Sequence, residues 1–301
     1  HLIAAGGTQG IHRLLKQNFR ALLTHRTARK TGLTEPAATN TTTKNFHNFV
    51  ISSSPSSNNL KYSPTEYDGR KLIGRAVTAT YVPTRPDLLD VMFDVGKAGG
   101  FSGNFNQWVI DSLVEGDVVV VDMYDKIYKG TFLGGNLTTA LHNRTKTGGA
   151  VIWGGIRDVE QMKKVPDVQV YYRGIDPTPI REFVMKDYND ITNFGGAVCL
   201  PGDVVFGAGG GVLFIPSHLV ADVVEGAAKT HVKDDFGFEM ICQGKFTTAQ
   251  IDRNTWTKEM LDLLMDFIEK DDRAAEYRGL DWTEEYDLAI NGDPNDTQTA
   301  L

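Results

Sequence analysis

The chain reads as an α/β protein built on a largely parallel sheet, and three features carry that reading. Val118 to Val121, within GDVVVVDM, is an unbroken apolar run, and so is Ala150 to Trp153. Runs of this kind mark strands covered on both faces, the usual state of a parallel strand. Stretches with apolar residues at helical spacing lie around them. The third feature is a glycine-bounded unit, GTFLGGNLTTALHNRTKTGGAVIWGGIRD, spanning Gly130 to Asp158, which joins a turn, a helix and a buried strand. With 301 residues, 41% of them hydrophobic and 23% charged, the chain has ample length for one domain with extensions or two small domains.

The elements follow in order. Residues 11 to 23 place Ile11, Leu14, Leu15, Phe19, Leu22 and Leu23 on one helical face, with a basic face opposite that continues to Arg29 and Lys30. This helix is expected to dock on its own domain or on a partner subunit. Residues 35 to 64 are rich in Thr, Ser, Asn and Pro and read as a long connecting arm without a core. LIGRAVTATYV is a β-branched strand ended by Pro83 and Pro86. LLDVMFDVGKA and WVIDSLVEG read as helices, the second closed by Gly116. GDVVVVDM is a buried strand ending in Asp122 and Asp125. DVQVYYRG and GGAVCL are short strands. In PGDVVFGAGGGVLFIP, two apolar runs flank Gly207 to Gly211. A second strand follows these glycines where a dinucleotide loop needs a helix, so a hairpin is expected. A helix capped by Ser217 then runs to the pair Asp234-Asp235, and a further amphipathic helix covers Thr255 to Lys270. The tail beyond Asp281 is acidic and reads as loosely attached. The expected organisation is an arm over 1–65, a catalytic-type domain over 66–240 and a helical extension over 241–301.

Bulk properties exclude several classes. A formal net charge of -7 argues against a general nucleic-acid binder. No run of 18 apolar residues is present to cross a membrane. Cys199 and Cys242 make neither a disulfide framework nor a zinc knuckle and read as buried free thiols. No Ser-His-Asp array, HExxH or CxxC occurs, and the seven histidines are scattered; His142 reads as structural. The chain opens at His1, as after removal of a signal peptide, a leader or other residues, so the compartment stays open between cytoplasmic and exported. Sequons at Asn40, Asn136, Asn143 and Asn295 are weak evidence for secretion.

The chemistry concentrates in Gly130 to Asp158. After the Gly134-Gly135 turn, Asn136 is expected to cap the helix of LTTALHNRTKT, leaving its first amides open to a carboxylate or phosphate. The strand AVIW leads through Gly154-Gly155-Ile156 to Arg157-Asp158. A guanidinium and a carboxylate then stand at a strand's carboxyl end, where open α/β sheets place ligands. Taken alone, Arg-Asp reads equally as a surface ion pair and Gly-Gly-Asn as a turn. Asp122, Asp125 and Lys126 follow the VVVV strand and read as a charged loop. Acids at a helix end, as expected of Asp234 and Asp235, are disfavoured by the helix dipole and hint at some use.

GRAVTA, GDVVVVD, GGNL followed by Arg157-Asp158, and PGDVVFG with VLFIP, in this order, resemble the RraA-like family over roughly residues 66 to 240. That family includes the 4-hydroxy-4-methyl-2-oxoglutarate/4-carboxy-4-hydroxy-2-oxoadipate aldolases, and its members are often mislabelled dimethylmenaquinone methyltransferases. The resemblance implies a swivelling β/β/α domain, homotrimers or hexamers, and a site between subunits. It also implies a divalent cation, Mg²⁺ or Mn²⁺, held largely through waters by Asp158. Arg157 would polarise the keto oxygen as an enolate forms, and the backbone around Gly135, Leu137 and Thr138 would hold the substrate carboxylate. Asn136 stands where the aldolases carry Asp or Glu to orient a water, and an amide cannot accept a proton at neutral pH. The Gly207 to Gly211 cluster also stands where relatives often carry acids. The expected activity is metal-dependent retro-aldol cleavage or decarboxylation of a small oxo-acid or sugar-acid. The alternatives are a non-enzymatic binding ring and a sugar-acid lyase or hydrolase using the same cleft. Asp234 or Asp235 is the candidate for an acid supplied across a subunit interface.

Overall fold

The computed structural model describes residues 50–52, 70–208 and 211–292. The helix expected over residues 11 to 23 and the sequons at Asn40 and Asn295 lie outside them. The chain divides into two compact units, with the boundary between Val220 and Ala221. The boundary read from the sequence, at Met240, fell later. The reason is that one helix, Val220–Cys242, runs unbroken past that point and joins the second unit.

The first unit is organised by an eight-stranded sheet in the order β1-β10-β9-β2-β3-β4-β5, with β6 also paired to β2. Strands β2 (Leu72–Pro83), β3 (Asp117–Leu133), β4 (Gly149–Ile156) and β5 (Gln169–Ile175) run parallel. Antiparallel partners close the β2 side: β6 (Phe183–Tyr188), and β9 (Val204–Ala208) with β10 (Gly211–Ile215). Strands β9 and β10 on either side of the glycine cluster pair antiparallel, from Ala208 opposite Gly211, as expected of a hairpin. Strand β1 (Val50–Ser52) pairs with β10 at the edge. The arm read from residues 35 to 64 thus contributes three residues to the sheet, because an open edge offers backbone partners whatever the side chains are.

The central strands explain their own sequence. Val119 and Val121 pack into one core with helices α1 (Pro86–Ala98), α2 (Phe105–Ser112), α3 (Gly135–Thr145) and α4 (Val159–Met162). Val118 and Val120 pack into a second core under the hairpin of β7 (Thr192–Phe194) and β8 (Ala197–Cys199). Side chains of a strand alternate between faces, so apolar cover on both faces demands an unbroken apolar run. The result is a β/β/α layering.

Strand β3 extends beyond the expected end at Asp122 and Asp125. Its ladder with β4 shifts register after Asp122, Lys126 and Thr131. Tyr124, Asp125 and Lys129 adopt positive φ in the interruption. The chain then returns as Phe132 and Leu133, both fully buried. Burial of these two large side chains re-forms the strand and delivers the following glycines to the carboxyl edge of the sheet.

The second unit is helical: α5 (Val220–Cys242), α6 (Thr248–Ile251), α7 (Lys258–Lys270) and α8 (Thr283–Asn291). Ala228, Val232, Phe236 and Met240 form one stripe on α5 and meet Trp256, Met260, Leu264 and Ile268. Four sequence expectations need correction. Ser217 opens a short 3₁₀ turn whose cap position is Pro216, and its side chain caps nothing. Asp234 and Asp235 sit inside α5, because the helix continues to Cys242 to complete its apolar stripe. The tail past Asp281 is anchored: Trp282 is buried in the core, and Tyr286 donates its hydroxyl hydrogen to Asp262 Oδ1 at 3.0 Å. Cys199 is buried as expected, but Cys242, on the last turn of α5, is exposed.

Helix α1 lies on α2 through a glycine. A Cβ on Gly96 would stand 2.0 Å from the Trp108 ring. Phe93 stacks on Phe105 beside it, with ring centroids 4.7 Å apart. Gly96→Ala is expected to cost about 1–3 kcal/mol through overpacking. Urea denaturation measures it, and an unchanged midpoint would show that the contact is slack.

Candidate active site

The site is assembled where β3 and β4 end side by side. Leu133 O accepts a hydrogen bond from Arg157 N at 2.9 Å, so the end of β4 is pinned to the residue before Gly134. Gly134 is the extended N-cap residue of α3, with φ -142° and ψ -174°. A Cβ there would stand 2.6 Å from Asp158 Oδ2 and 3.2 Å from Arg157 Cγ and Nε. At Gly135 it would stand 2.1 Å from Gln161 Oε1. The two glycines let the side chains of the β4–α4 turn lie directly against the backbone that starts α3, and a Cβ at either would make those side chains move.

Asn136 is not the cap. It lies one residue inside α3, exposed, because Gly134 already has the extended conformation that a cap residue needs. The amide of Thr138 donates to Gly134 O at 2.9 Å, and the Thr138 hydroxyl donates to the same oxygen at 2.9 Å. Thr138 therefore has no amide left for a ligand, contrary to the sequence expectation. The helix-start amides that precede the first intrahelical bond are those of Gly135, Asn136 and Leu137. Of these, Gly135 N lies 3.4 Å from Asp158 Oδ2.

Asp158 occupies the N-cap position of α4 in a left-handed conformation, φ 57° and ψ 38°, and makes no side-chain cap bond to its own helix. Few non-glycine residues adopt this conformation, and residues that do cluster at functional sites. Its carboxylate turns instead toward Gly135 and toward Arg157 Nη1, 3.5 Å away. Both side chains are about one-third exposed, 35% for Arg157 and 32% for Asp158, so each has a face open to a ligand. Guanidinium, carboxylate and the start of α3 stand together at the ends of β3 and β4.

Other sequence candidates go elsewhere. Asp125 makes a bidentate pair with Arg173 at 2.6 and 3.0 Å, and Lys126 pairs with Glu182 at 3.0 Å. Arg173 in turn lies over the Trp153 ring, 4.5 Å from its centroid. Asp122 is buried on the strand and accepts a hydrogen bond from Tyr124 N at 2.8 Å. Asp234 and Asp235 belong to the helical unit, where Asp235 lies 3.6 Å from His231. His142, on α3, keeps a buried Nδ1 without a hydrogen-bond partner. The residue that sequence reading missed is Gln161. Its signal was its place three residues after Asp158, where a helix-start Gln normally reaches back to the cap; here its Oε1 lies against Gly135.

No group of three His, Cys, Asp or Glu side chains that could hold a metal ion is gathered among the described residues. The site offers one carboxylate. That donor set suits a hard cation that keeps most of its waters, such as Mg²⁺, and not a cation needing an all-protein cage.

Burial raises the pKa of Asp122 above the ordinary carboxylate value, with the Tyr124 amide opposing the rise. The folded state thus holds this proton more tightly than the unfolded chain does. The stability it contributes is fully present below the unfolded value, about 4, and is lost as pH rises through the raised folded value. Asp122→Asn is expected to flatten that part of the curve, measured as thermal midpoint against pH. An unaltered slope would place the titration elsewhere.

A family model described as RraA-like, Aldolase/RraA, matches residues 39–214. Protein DlpA of Legionella pneumophila is 31% identical over 158 residues, which make up 52% of this chain and 23% of DlpA, so the chain spans only a minor part of that relative's length. Among solved structures, RraAS2 of Streptomyces coelicolor is described as an unusual member of the RNase ES inhibitor RraA protein family. It is 25% identical with a TM-score of 0.46, covering 57% of this chain and 79% of that one. An uncharacterized protein from Pseudomonas syringae pv. tomato is 23% identical with a TM-score of 0.49, covering 62% of this chain and 76% of that one. No helix of the described residues is long and apolar enough to cross a membrane.

Proposed function

The chain belongs to the RraA-like family, and from that premise we propose that the cleft around Arg157 is the active site of a divalent-metal-dependent carbon–carbon lyase. The substrate class is a small oxo-acid or sugar-acid, cleaved by retro-aldol reaction or decarboxylated. One observation supports this above the others. Asp158 forgoes capping its own helix and takes up a strained backbone so that Arg157 and its carboxylate lie against the start of α3. A surface ion pair needs neither the strain nor the two glycines.

The amides of Asn136 and Leu137, at the positive end of the α3 dipole, bind the substrate carboxylate, next to the Gly135 amide that donates to Asp158. Arg157 faces the keto oxygen and stabilises the charge that develops there as the carbon–carbon bond breaks and the enolate forms. Asp158 would hold Mg²⁺ or Mn²⁺ through waters, and the cation would supply further positive charge to the forming enolate. Asn136 orients a water by hydrogen bonding, and the proton itself comes from that water or from an acid of a neighbouring copy. Asp234 and Asp235 are the candidates carried from the sequence for that acid.

Oxaloacetate decarboxylation in the presence of Mg²⁺ or Mn²⁺ tests the reading, because it requires enolate formation and little else. Arg157→Ala is expected to cost about two to three powers of ten in rate. Asn136→Asp restores a carboxylate able to carry the proton and is expected to raise the rate by about two to four powers of ten. It should also tighten Mn²⁺ binding, read by water relaxation without turnover. Gly134→Ala should lower the rate while leaving the Asn136 amide in place. If neither the native chain nor Asn136→Asp acts on oxaloacetate, the lyase reading fails. The loss of the family acid at position 136 would then favour an oligomeric binding protein or a different reaction in the same cleft.

We also propose a homotrimer, or a hexamer of two trimers. Family membership supports it, and so does the outer face of the β7–β8 hairpin, which leaves Ile191, Val198 and Leu200 at 62%, 48% and 46% exposure. Val198→Asp is expected to shift sedimentation toward smaller species. A native chain that sediments as a monomer at micromolar concentration removes the proposal.

A further inference from the structure

Helix α1 has an outward stripe that nothing among the described residues covers. Val91, Val95 and Ala98 follow one another at helical spacing along it, beside Leu88, which is already half-buried against the core. Val91 is 57% and Val95 61% exposed, and Phe101 just beyond the helix is 49% exposed. The opposite face is already used, with Gly96 and Phe93 against α2. Asp87, Asp90 and Asp94 line one flank of the stripe. Asp87 is engaged by Arg85 at 2.6 Å, whereas no cation among the described residues makes an ion pair with Asp90 or Asp94. Lys97 is the base on this helix.

The chain itself contains a matching surface. Residues 11 to 23, outside the described residues, carry an apolar stripe of Ile11, Leu15, Phe19 and Leu22, flanked by His12, Arg13, Lys16 and Arg20. Six Lys and Arg precede Glu35, the first carboxylate in the sequence, although the chain as a whole has a net charge of -7. Positive charge is therefore segregated at the amino end, and the stripe on α1 combines exposed apolar side chains with unpaired acids. Reach is sufficient. Residues 24–49 separate Leu23 from Val50, which is held at the sheet edge, and an extended segment of that length spans on the order of 90 Å.

We propose that residues 11 to 23 of the same chain dock along α1, burying Val91 and Val95 under their apolar stripe and setting Lys16 and Arg20 against Asp90 and Asp94. The surface would otherwise be a liability, since exposed apolar stripes of this kind promote association. This inference is independent of the catalytic reading.

Cysteine cross-linking in the 301-residue chain tests it. In a Cys242→Ser background, with Cys199 buried and unreactive, Leu15→Cys is combined in turn with Val91→Cys, with Val95→Cys and, as control, with Ile290→Cys on the exposed part of α8. A disulfide needs Cα atoms within about 7 Å. Bridging within one chain at position 91 or 95, and not at 290, is the expected result. A product of twice the chain mass would show that a second copy covers α1 and would overturn the proposal, as would absence of bridging or equal bridging at 290. Charge reversal supplies an independent measurement. Lys16→Glu with Arg20→Glu should lower the cross-linking yield several-fold, and adding Asp90→Lys with Asp94→Lys should restore it. A yield indifferent to these reversals overturns the proposed ion pairs.

Discussion

The close packing of Gly134 against Asp158 and Arg157 is the constraint from which the site follows. A methyl group at that position would lie 2.6 Å from a carboxylate oxygen, nearer than packed atoms tolerate. A glycine lets the Asp158 carboxylate and the Arg157 side chain lie against the start of α3, and a larger residue would push them aside. The approach does three things together. It places a guanidinium beside the helix-start amides of Asn136 and Leu137, it turns a carboxylate from its own helix to the Gly135 amide, and it leaves both side chains partly open to solvent. Position 134 is thus coupled to charge placement through shape alone.

The sheet sets where this contact occurs. Val118 to Val121 are locked into two cores at once, so β3 cannot slide without exposing valines on both faces. The irregular stretch that follows absorbs its extra residues in a loop with three positive φ values, yet Phe132 and Leu133 return to full burial. Asn106 Nδ2 donates to Phe132 O at 2.9 Å from a buried position on α2, which fixes the returning strand further. The glycines are therefore held by a rigid element on one side and reached by a tight turn on the other, as a preorganised site requires.

What was legible in the sequence was whatever local pattern decides. Two-faced burial wrote itself into the valine run, and the βα unit showed as Gly-Gly followed, at the end of the next strand, by Arg-Asp. The hairpin at the glycine cluster was legible because no helix follows it. The failures share a cause, which is that a competing partner distant in sequence took the role. Asn136 has good capping chemistry, but Gly134 alone fits beneath Asp158, so the helix starts earlier. Asp234 and Asp235 resemble a helix end until the stripe from Ala228 to Met240 shows that the apolar face continues through them. The acidic tail looked loose by composition, yet Trp282 and Tyr286 anchor it through contacts made across the helical unit. Gln161 was legible as a helix-start Gln three residues after Asp158, but its contact with Gly135 was not.

The charge balance at the cleft bears on how such a site would work. One guanidinium and the positive end of a helix face a single carboxylate, and position 136, where the related aldolases carry an acid, holds an amide. Each carboxylate lost from a cation site weakens its hold on a divalent ion, and a Mg²⁺ ion bound mainly through water depends on charge close by. The same loss makes the cleft more attractive to an anion. An oxo-acid bound at the α3 amides would bring its own carboxylate and keto oxygen to the place where protein charge is missing. Metal and substrate would then strengthen each other's binding, and reciprocally so, because the coupling free energy belongs to the pair and not to either one.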